Sequence, residues 1–365
     1  MFIIHETKVN PRKEEIFHRL ISSPIKPVYV LGTNRCAQCV FRAQRVSGAF
    51  KVEAFVDDFT KEKSYLERPV IRMADLPGEC IVVSCVTDTL PVTALNRLRS
   101  AGHENAIDYF ALSRLAPDLF EPFGYCAGNR RDILENAARY EWVYNRLADE
   151  ISRQTFAKVV QFRLTMDLEH MRGFSLAMDR QYFEDFLPLE AGEVFVDGGG
   201  FDGQTTVQFA ARNTAYRRIH YFEPTPAMME ISRRNLNGLR DVCLVQKGLF
   251  SRQDRLRFDA DAGPASSLSA NGQMEIEVVR LDDEVREPIT FLKLDIEGVE
   301  HEALQGAAEH IGKHTPKLAV CIYHDQRDFW RVPQRVLEIN DRYNLFVRHY
   351  TESIRETVMF FVPKK

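Results

Sequence analysis

Apolar positions along this chain fall into short runs bounded by glycine and charge, separated by one long stretch at helical spacing. Residues 28–31 predict a strand, a glycine turn and a helix follow, and residues 52–56 predict a second strand ending in Asp57 and Asp58. With a third strand at 81–85 this reads as a βαβ unit. From 120 to 186 the texture changes. Val143, Leu147, Ile151, Phe156, Val160 and Leu164 recur at helical intervals, and Gly and Pro are nearly absent between Arg130 and Met171, so long helices are expected. Arg163 and Asp167, four apart, would share one face of such a helix, which makes Arg163 a candidate substrate contact. Short apolar runs return after 187, at 193–197, 218–223, 242–245, 275–285, 291–296, 317–325, 343–350 and 357–363. The pattern predicts an α/β protein in three parts: a smaller Rossmann-like βαβ domain at 1–119, a helical bridge at 120–186, and a second doubly wound sheet at 187–365.

A length of 365 residues, 45% of them hydrophobic, suffices for two cores, and 27% charged residues exclude wholesale disorder. Lys and Arg number 48 against 52 Asp and Glu, a net charge of −4, so no general grip on nucleic acid is expected. No run of 18 apolar residues occurs, and the first residues lack the apolar core of a secretion signal. Seven cysteines, odd in number and scattered, suit reduced thiols and a cytoplasmic setting. Cys36 and Cys39 form the one C-x-x-C pair. Zinc would need a second pair, so no metal centre is expected, and the two read as packed helix residues before a redox pair.

The chemistry concentrates at strand ends. A dinucleotide fingerprint needs three glycines after the first strand, where this chain has Gly32, Asn34 and Ala37; that weakens the nicotinamide reading of the first unit. The second unit differs. Asp197 closes its strand, and Gly198, Gly199, Gly200 and Gly203 follow, which lets backbone lie against a ligand at a helix start. A carboxylate there repels a pyrophosphate and suits an ammonium or sulfonium centre. Glu223, 26 positions on, is placed to accept ribose hydroxyls, and Gly248 to let an adenine ring approach backbone. Lys293, Asp295, Glu297 and Glu300 crowd charge at the end of a further strand, and His324 and His349 end two later ones, converging on that rim.

These residues resemble the FkbM family of S-adenosylmethionine-dependent methyltransferases. The resemblance rests on Asp197-Gly198-Gly199-Gly200-Phe201-Asp202-Gly203, Glu223-Pro224, Leu281-Asp282-Asp283, and Lys293-Leu294-Asp295-Ile296-Glu297-Gly298-Val299-Glu300 with Leu304, Gly306 and Ala307 behind. Tyr323-His324 and Arg348-His349-Tyr350 add to it, and Gly200 departs from it by replacing the usual alanine. The resemblance implies a class I methyltransferase sheet with a last antiparallel strand. It implies S-adenosylmethionine as cofactor, held by Asp197, Gly198, Gly199, Phe201, Gly203, Glu223, Pro224, Gly248 and Asp295. It also implies methyl transfer to a hydroxyl on a sugar, a polysaccharide precursor or a secondary metabolite, so the partner is a small-molecule or glycan acceptor.

In-line transfer to a hydroxyl is helped by a base, and His324 is the first choice, since an ordinary imidazole titrates near 6.5. Asp295 and Glu297 would orient it, with Lys293, His349 and Arg163 on the substrate. Two alternatives stand beside this reading. One is an NAD-dependent nucleotide-sugar oxidoreductase working through the first unit; the other is a binding or scaffold protein without turnover.

Overall fold

A computed structural model describes residues 4–22, 25–123, 126, 128–259, 267–268, 272 and 274–364. The chain forms two compact units. The first comprises Met1–Ala137, Ala157–Met178 and Tyr350–Arg355; the second comprises Ala138–Phe156, Asp179–His349 and Glu356–Lys365. Residues 120–186 are thus divided between the two.

The first unit begins with α1 (Pro11–Ile21), β1 (Lys26–Leu31), α2 (Arg35–Ser47) and β2 (Phe50–Val56). Then come β3 (Ser64–Tyr65), β4 (Arg68–Ile71), β5 (Ile81–Ser84), α3 (Pro91–Ser100), β6 (Ala106–Asp108), α4 (Tyr109–Leu115) and α5 (Asn129–Glu135). Its sheet has the order β3-β4-β2-β1-β5-β6, parallel except for β3 against β4. Val28, Val30, Val52, Phe55 and Val83 are fully buried, as strands covered on both faces require. Asn34 caps α2 by accepting from Ala37 N at 3.1 Å, and Gly48, at φ +62°, closes that helix in the left-handed conformation.

Helix α6 (Ala137–Tyr144) and α7 (Glu150–Thr165) form where helices were expected, but α7 stops early. Met166 adopts φ +53° and turns the chain out of the helix. Asp167 therefore does not share a helix face with Arg163. It caps the short turn Leu168–Met171 instead and pairs with Lys13 at 3.2 Å.

The second unit contains β7 (Val194–Gly198), α8 (Gln204–Arg212), β8 (Arg218–Phe222), α9 (Pro226–Asn235) and β9 (Val242–Val245). After the small strands β10 (Gly248–Leu249), β11 (Asp254–Asp259), β12 (Ser267–Leu268) and β13 (Met274–Val279) come α10 (Leu281–Glu284), β14 (Phe291–Leu294), α11 (Glu300–Gly306) and α12 (Ala308–His314). The chain finishes with β15 (Lys317–Cys321), α13 (Asp328–Ile339), β16 (Tyr343–His349) and β17 (Thr357–Pro363). The main sheet runs β16-β17-β15-β14-β7-β8-β9, with β17 antiparallel to both neighbours and the other pairs parallel. This is the class I methyltransferase order that the resemblance implies. The strand expected at 275–285 is shorter: β13 belongs to a separate four-stranded sheet with β10, β11 and β12. Strand reversal near β7, between β8 and β14, places the ends of β7, β8 and β14 around one crevice, where ligands of open α/β sheets bind.

Candidate functional site

Two loops meet at that crevice. Gly199 N and Gly200 N both donate to Phe222 O, at 3.0 and 2.9 Å, which folds the glycine turn back over the end of β8. Asp295 N donates to Gly198 O at 3.1 Å and ties the turn to the end of β14. The packing leaves no room for side chains. A Cβ on Gly199, which has φ +74°, would lie 1.9 Å from Asp295 O, and one on Gly200 would lie 1.9 Å from the Tyr221 ring.

Asp197 occupies the position the sequence assigns it but faces inward. Its side chain is fully buried; Oδ2 accepts from the Thr206 hydroxyl at 2.7 Å, and Oδ1 pairs with Lys293 Nζ at 3.0 Å. The carboxylate expected to meet a cationic ligand is thus neutralised inside the fold. Lys293 is corrected with it. Buried at 2% exposure, its ammonium donates to Gly198 O and Gly199 O at 3.2 and 2.7 Å, so its three donor directions are taken by these two carbonyls and Asp197. Burial opposes its charge, but Asp197 and Asp295 more than restore it and hold the ammonium above its ordinary range.

Glu223, 6% exposed, ends β8. Oε2 accepts from Phe201 N at 3.1 Å, and Oε1 from Thr225 N and Oγ1 at 2.8 and 2.7 Å. Burial pushes this carboxyl up despite those bonds. A carboxylate with two oxygens accepts about four bonds, so Oε2 keeps capacity for a ribose hydroxyl. Phe201 is 48% exposed at φ +53°, a strained conformation for a phenylalanine. Pro224 follows Glu223 and is half-buried, Gly203 caps α8 at φ +88°, and Gly248 pairs with Val278 in β10. A fixed buried carboxylate, a glycine turn and an exposed aromatic ring suit an adenosyl ligand.

The acidic loop after β14 wraps around His324. Nδ1 lies 2.9 Å from Glu300 Oε1, and Nε2 lies 3.2 Å from Glu297 Oε2 and 3.5 Å from Asp295 Oδ1. Glu300 also accepts from Ile296 N at 3.0 Å, which closes the loop, and Glu297 and Gly298 turn it at φ +59° and +96°. Burial works against charge on His324, but Glu300 and Glu297 override it and raise the imidazole well above its ordinary value. A ring held toward its charged form and faced by three carboxylates is poorly placed to take up a further proton. Burial raises the Glu297 carboxyl. Asp295 is raised by burial too, but Lys293, His324 and the Tyr182 hydroxyl hold it below the usual range.

Sequence reasoning reached Tyr323 only through the resemblance and missed Tyr182, Gln181 and Glu356. Tyr182 OH donates to Asp295 Oδ2 at 2.8 Å, and Tyr323 OH lies 3.4 Å from Asp295 Oδ1 and from Glu356 Oε1. Gln181 Nε2 holds Glu356 Oε2 at 2.6 Å. Tyr182 and Glu356 carry φ +73° and +67°, strain that residue type and spacing do not announce. His349, at the end of β16, is engaged with Thr357 Oγ1 at 2.9 Å. Arg163 belongs to the first unit, where its buried guanidinium donates to Asn129 Oδ1 at 3.1 Å and Ile354 O at 3.0 Å. It is buried in that unit's core, and the face of α7 expected to pair it with Asp167 is not formed.

The first unit does not offer the phosphate cradle of the oxidoreductase alternative. Ala37 N, at the start of α2, is taken by Asn34, whose Nδ2 donates to Cys85 O at 2.7 Å. Asp57 accepts from Phe59 N, Thr60 N and the Thr33 hydroxyl. Residues of the loop between β16 and β17 lie against the neighbouring strand end: Glu352 accepts from Thr93 N and Oγ1 in the first turn of α3, and its own N donates to Thr89 O. Cys36 and Cys39 are buried, and burial pushes the Cys36 thiol up to about 12, far from a reactive thiolate.

Residues 197–357 match the family described as the methyltransferase FkbM domain. No curated protein sequence matches the chain. Among solved structures, a methyltransferase FkbM from Methylobacillus flagellatus KT is similar over 97% of this chain and 96% of its own, at 23% identity and a TM-score of 0.76, so the two share a fold. A Streptococcus mutans protein solved with S-adenosylhomocysteine covers 48% of this chain and 93% of its own, at 16% identity and a TM-score of 0.32. Aeropyrum pernix fibrillarin with bound S-adenosylmethionine covers 51% and 72%, at 13% identity and a TM-score of 0.34.

Proposed function

We propose that this chain, whose residues 197–357 match the methyltransferase FkbM domain, uses S-adenosylmethionine to methylate a hydroxyl oxygen of a neutral polyol: a sugar, a polysaccharide precursor or a secondary metabolite. One observation carries the choice of acceptor. Asp295 and Glu297, 23% and 24% exposed, present acceptor-only oxygens beside Tyr182 and Tyr323. Carboxylates draw in hydroxyl hydrogens and repel phosphate, so the rim favours an uncharged, hydroxyl-rich face.

S-adenosylmethionine supplies a methyl group on a cationic sulfur. Glu223 would hold its ribose, Gly248 its adenine, and Phe201 and Pro224 the adjoining wall. Asp197, Lys293 and the glycines Gly198, Gly199 and Gly203 shape the turn beneath it. Asp295, fixed by Tyr182, orients the acceptor, and Glu297 accepts the hydroxyl proton. His324 lies between these carboxylates, its Nε2 3.5 Å from Asp295 Oδ1 and 3.2 Å from Glu297 Oε2. Holding acceptor and methyl in line contributes several kcal/mol before any proton moves. The seven free thiols suit a reducing compartment such as the cytoplasm, and no helix among the described residues is long and apolar enough to cross a membrane.

Calorimetric titration with S-adenosylhomocysteine, followed by a screen of labelled methyl transfer to sugars and glycans, tests the reading. Binding that falls about tenfold or more in Glu223→Ala is expected, since a hydrogen bond to a charged group contributes about 1.5–3 kcal/mol. Methyl incorporation only into amines or nucleic acid would overturn the hydroxyl assignment.

A further inference from the structure

We propose that the cleft between α6 and α13, lined by Trp142 and Trp330, is a carbohydrate subsite that holds a neutral sugar residue of an oligosaccharide. The inference rests on the hydroxyl-acceptor reading of the rim and extends it from a single sugar to a chain of them.

The cleft follows from helical spacing. Trp330, Gln334, Leu337 and Glu338, at i, i+4, i+7 and i+8, share one face of α13, and Arg139 and Trp142, three apart, share one face of α6. Between the helices lies a space of about 460 Å³, the size of a small-ligand site rather than of a protein interface. Buried Tyr140 fixes the two helices together: its ring lies 6.3 Å from that of Phe329, and its hydroxyl donates to Gln326 O at 3.0 Å. The only two tryptophans of the chain thus meet in one place. Guanidinium groups hold them, Arg139 at 4.0 Å from the centre of the Trp330 ring and Arg146 at 4.1 Å from that of Trp142. Both rings stay half-buried, so part of each indole is open to a ligand without first being ordered by it.

The lining selects the ligand. A sugar ring has apolar C–H faces and a rim of hydroxyls that both donate and accept. An indole offers a flat apolar surface with one N–H, Arg139 donates, Glu338 accepts, and Gln334 does both. Gln334 Nε2 donates to Glu338 Oε1 at 3.0 Å, which sets donor and acceptor side by side. A phosphate or carboxylate would be repelled by Glu338, and a purely apolar ligand would leave these polar groups facing it without partners, whereas a hydroxyl-rich ring uses all three. The cleft also lies close to the rim in the chain. Trp330 follows His324 by six residues, so the two are within about 22 Å even if the backbone between them were fully extended, a separation that a short oligosaccharide spans.

Because both tryptophans line the cleft, indole fluorescence reads it directly. Maltohexaose, cellohexaose and xylohexaose are the probes for the full chain, and at least one is expected to change the emission saturably at millimolar concentration. Trp142→Ala and Gln334→Ala, checked for folding by circular dichroism, are expected to weaken that binding about tenfold in calorimetry. No change with any of the three sugars, or binding that neither variant alters, overturns the subsite. Self-association in sedimentation that Trp142→Ala abolishes would give the face to a second copy of the chain and overturn it as well. Labelled methyl transfer on the same samples separates the two readings. Oligosaccharide binding in the cleft without methyl incorporation into any hydroxyl keeps the subsite and removes the hydroxyl-acceptor reading; methyl incorporation into a sugar with both tryptophans silent removes only the subsite.

Discussion

Gly200 stands where the resembling family has alanine, and Tyr221 supplies the reason. The Tyr221 ring lies where a Cβ on residue 200 would go, and its hydroxyl donates to Phe201 O at 2.8 Å. Gly200→Ala should therefore destabilise the chain by about 1–3 kcal/mol, the usual cost of overpacking. Tyr221→Leu in the same chain frees the space, so in urea unfolding the double variant should cost less than the two single ones summed. Strict additivity would mean that the ring is not the obstacle. At the same scale, the sequence placed Lys293 and Asp197 at the right strand ends with the wrong neighbours. Residue type announces charge, but which partner neutralises it depends on which strands pair, here β7 with β14 in register.

Among the elements, α1 is held by one buried ion. Lys13, 6% exposed, pairs with Asp108 at 2.9 Å and with Asp167 at 3.2 Å, the residues that cap α4 and the turn Leu168–Met171. Lys13→Met leaves two carboxylates facing a vacated site, and a loss of about 3–5 kcal/mol is expected. The pH dependence has a definite sign. Burial opposes charge on Lys13 and Asp167, but each holds the other ionised, with Lys13 raised and Asp167 lowered. The Asp167 share of stability is present above its unfolded value of about 3.9 and is lost as pH falls through its lower folded value. The Lys13 share is present below about 10.4 and is lost as pH rises through its higher folded value. Denaturation series on both proteins should show the deficit largest between those limits and shrinking in acid, where Arg114 and His170 remain near Asp167. A deficit unchanged down to pH 2 would mean that packing, not charge, fixes α1.

For the molecule as a whole, the expectation concerns which ligands stabilise it. S-adenosylhomocysteine at 100 times its dissociation constant should add about 2.7 kcal/mol to the native state, visible as a shift in thermal unfolding. NAD and NADP should add nothing, because Asn34 caps the helix a pyrophosphate would need and the first turn of α3 is taken by Glu352. A shift with the nicotinamides would return a cofactor to the first unit.

The sequence by itself determined the strands, the class of sheet and the positions of the functional loops. Those are local matters: apolar runs between β-covered faces, glycines where side chains would collide, and acidic residues at strand ends. The motif of residues 293–300 was legible in this way, whereas the class I methyltransferase sheet with its last antiparallel strand came only through the family resemblance, and the order β9-β8-β7-β14-β15-β17-β16 came from the structure. Tertiary structure alone decided what each charge does. His324 reads as a base until three carboxylates surround it, Arg163 reads as a substrate contact until its partners prove to be Asn129 and Ile354 O in the first unit's core, and Tyr182 has no signature at all. The physical reason is range: secondary structure follows from neighbours in the chain, whereas protonation and hydrogen bonding follow from neighbours in space.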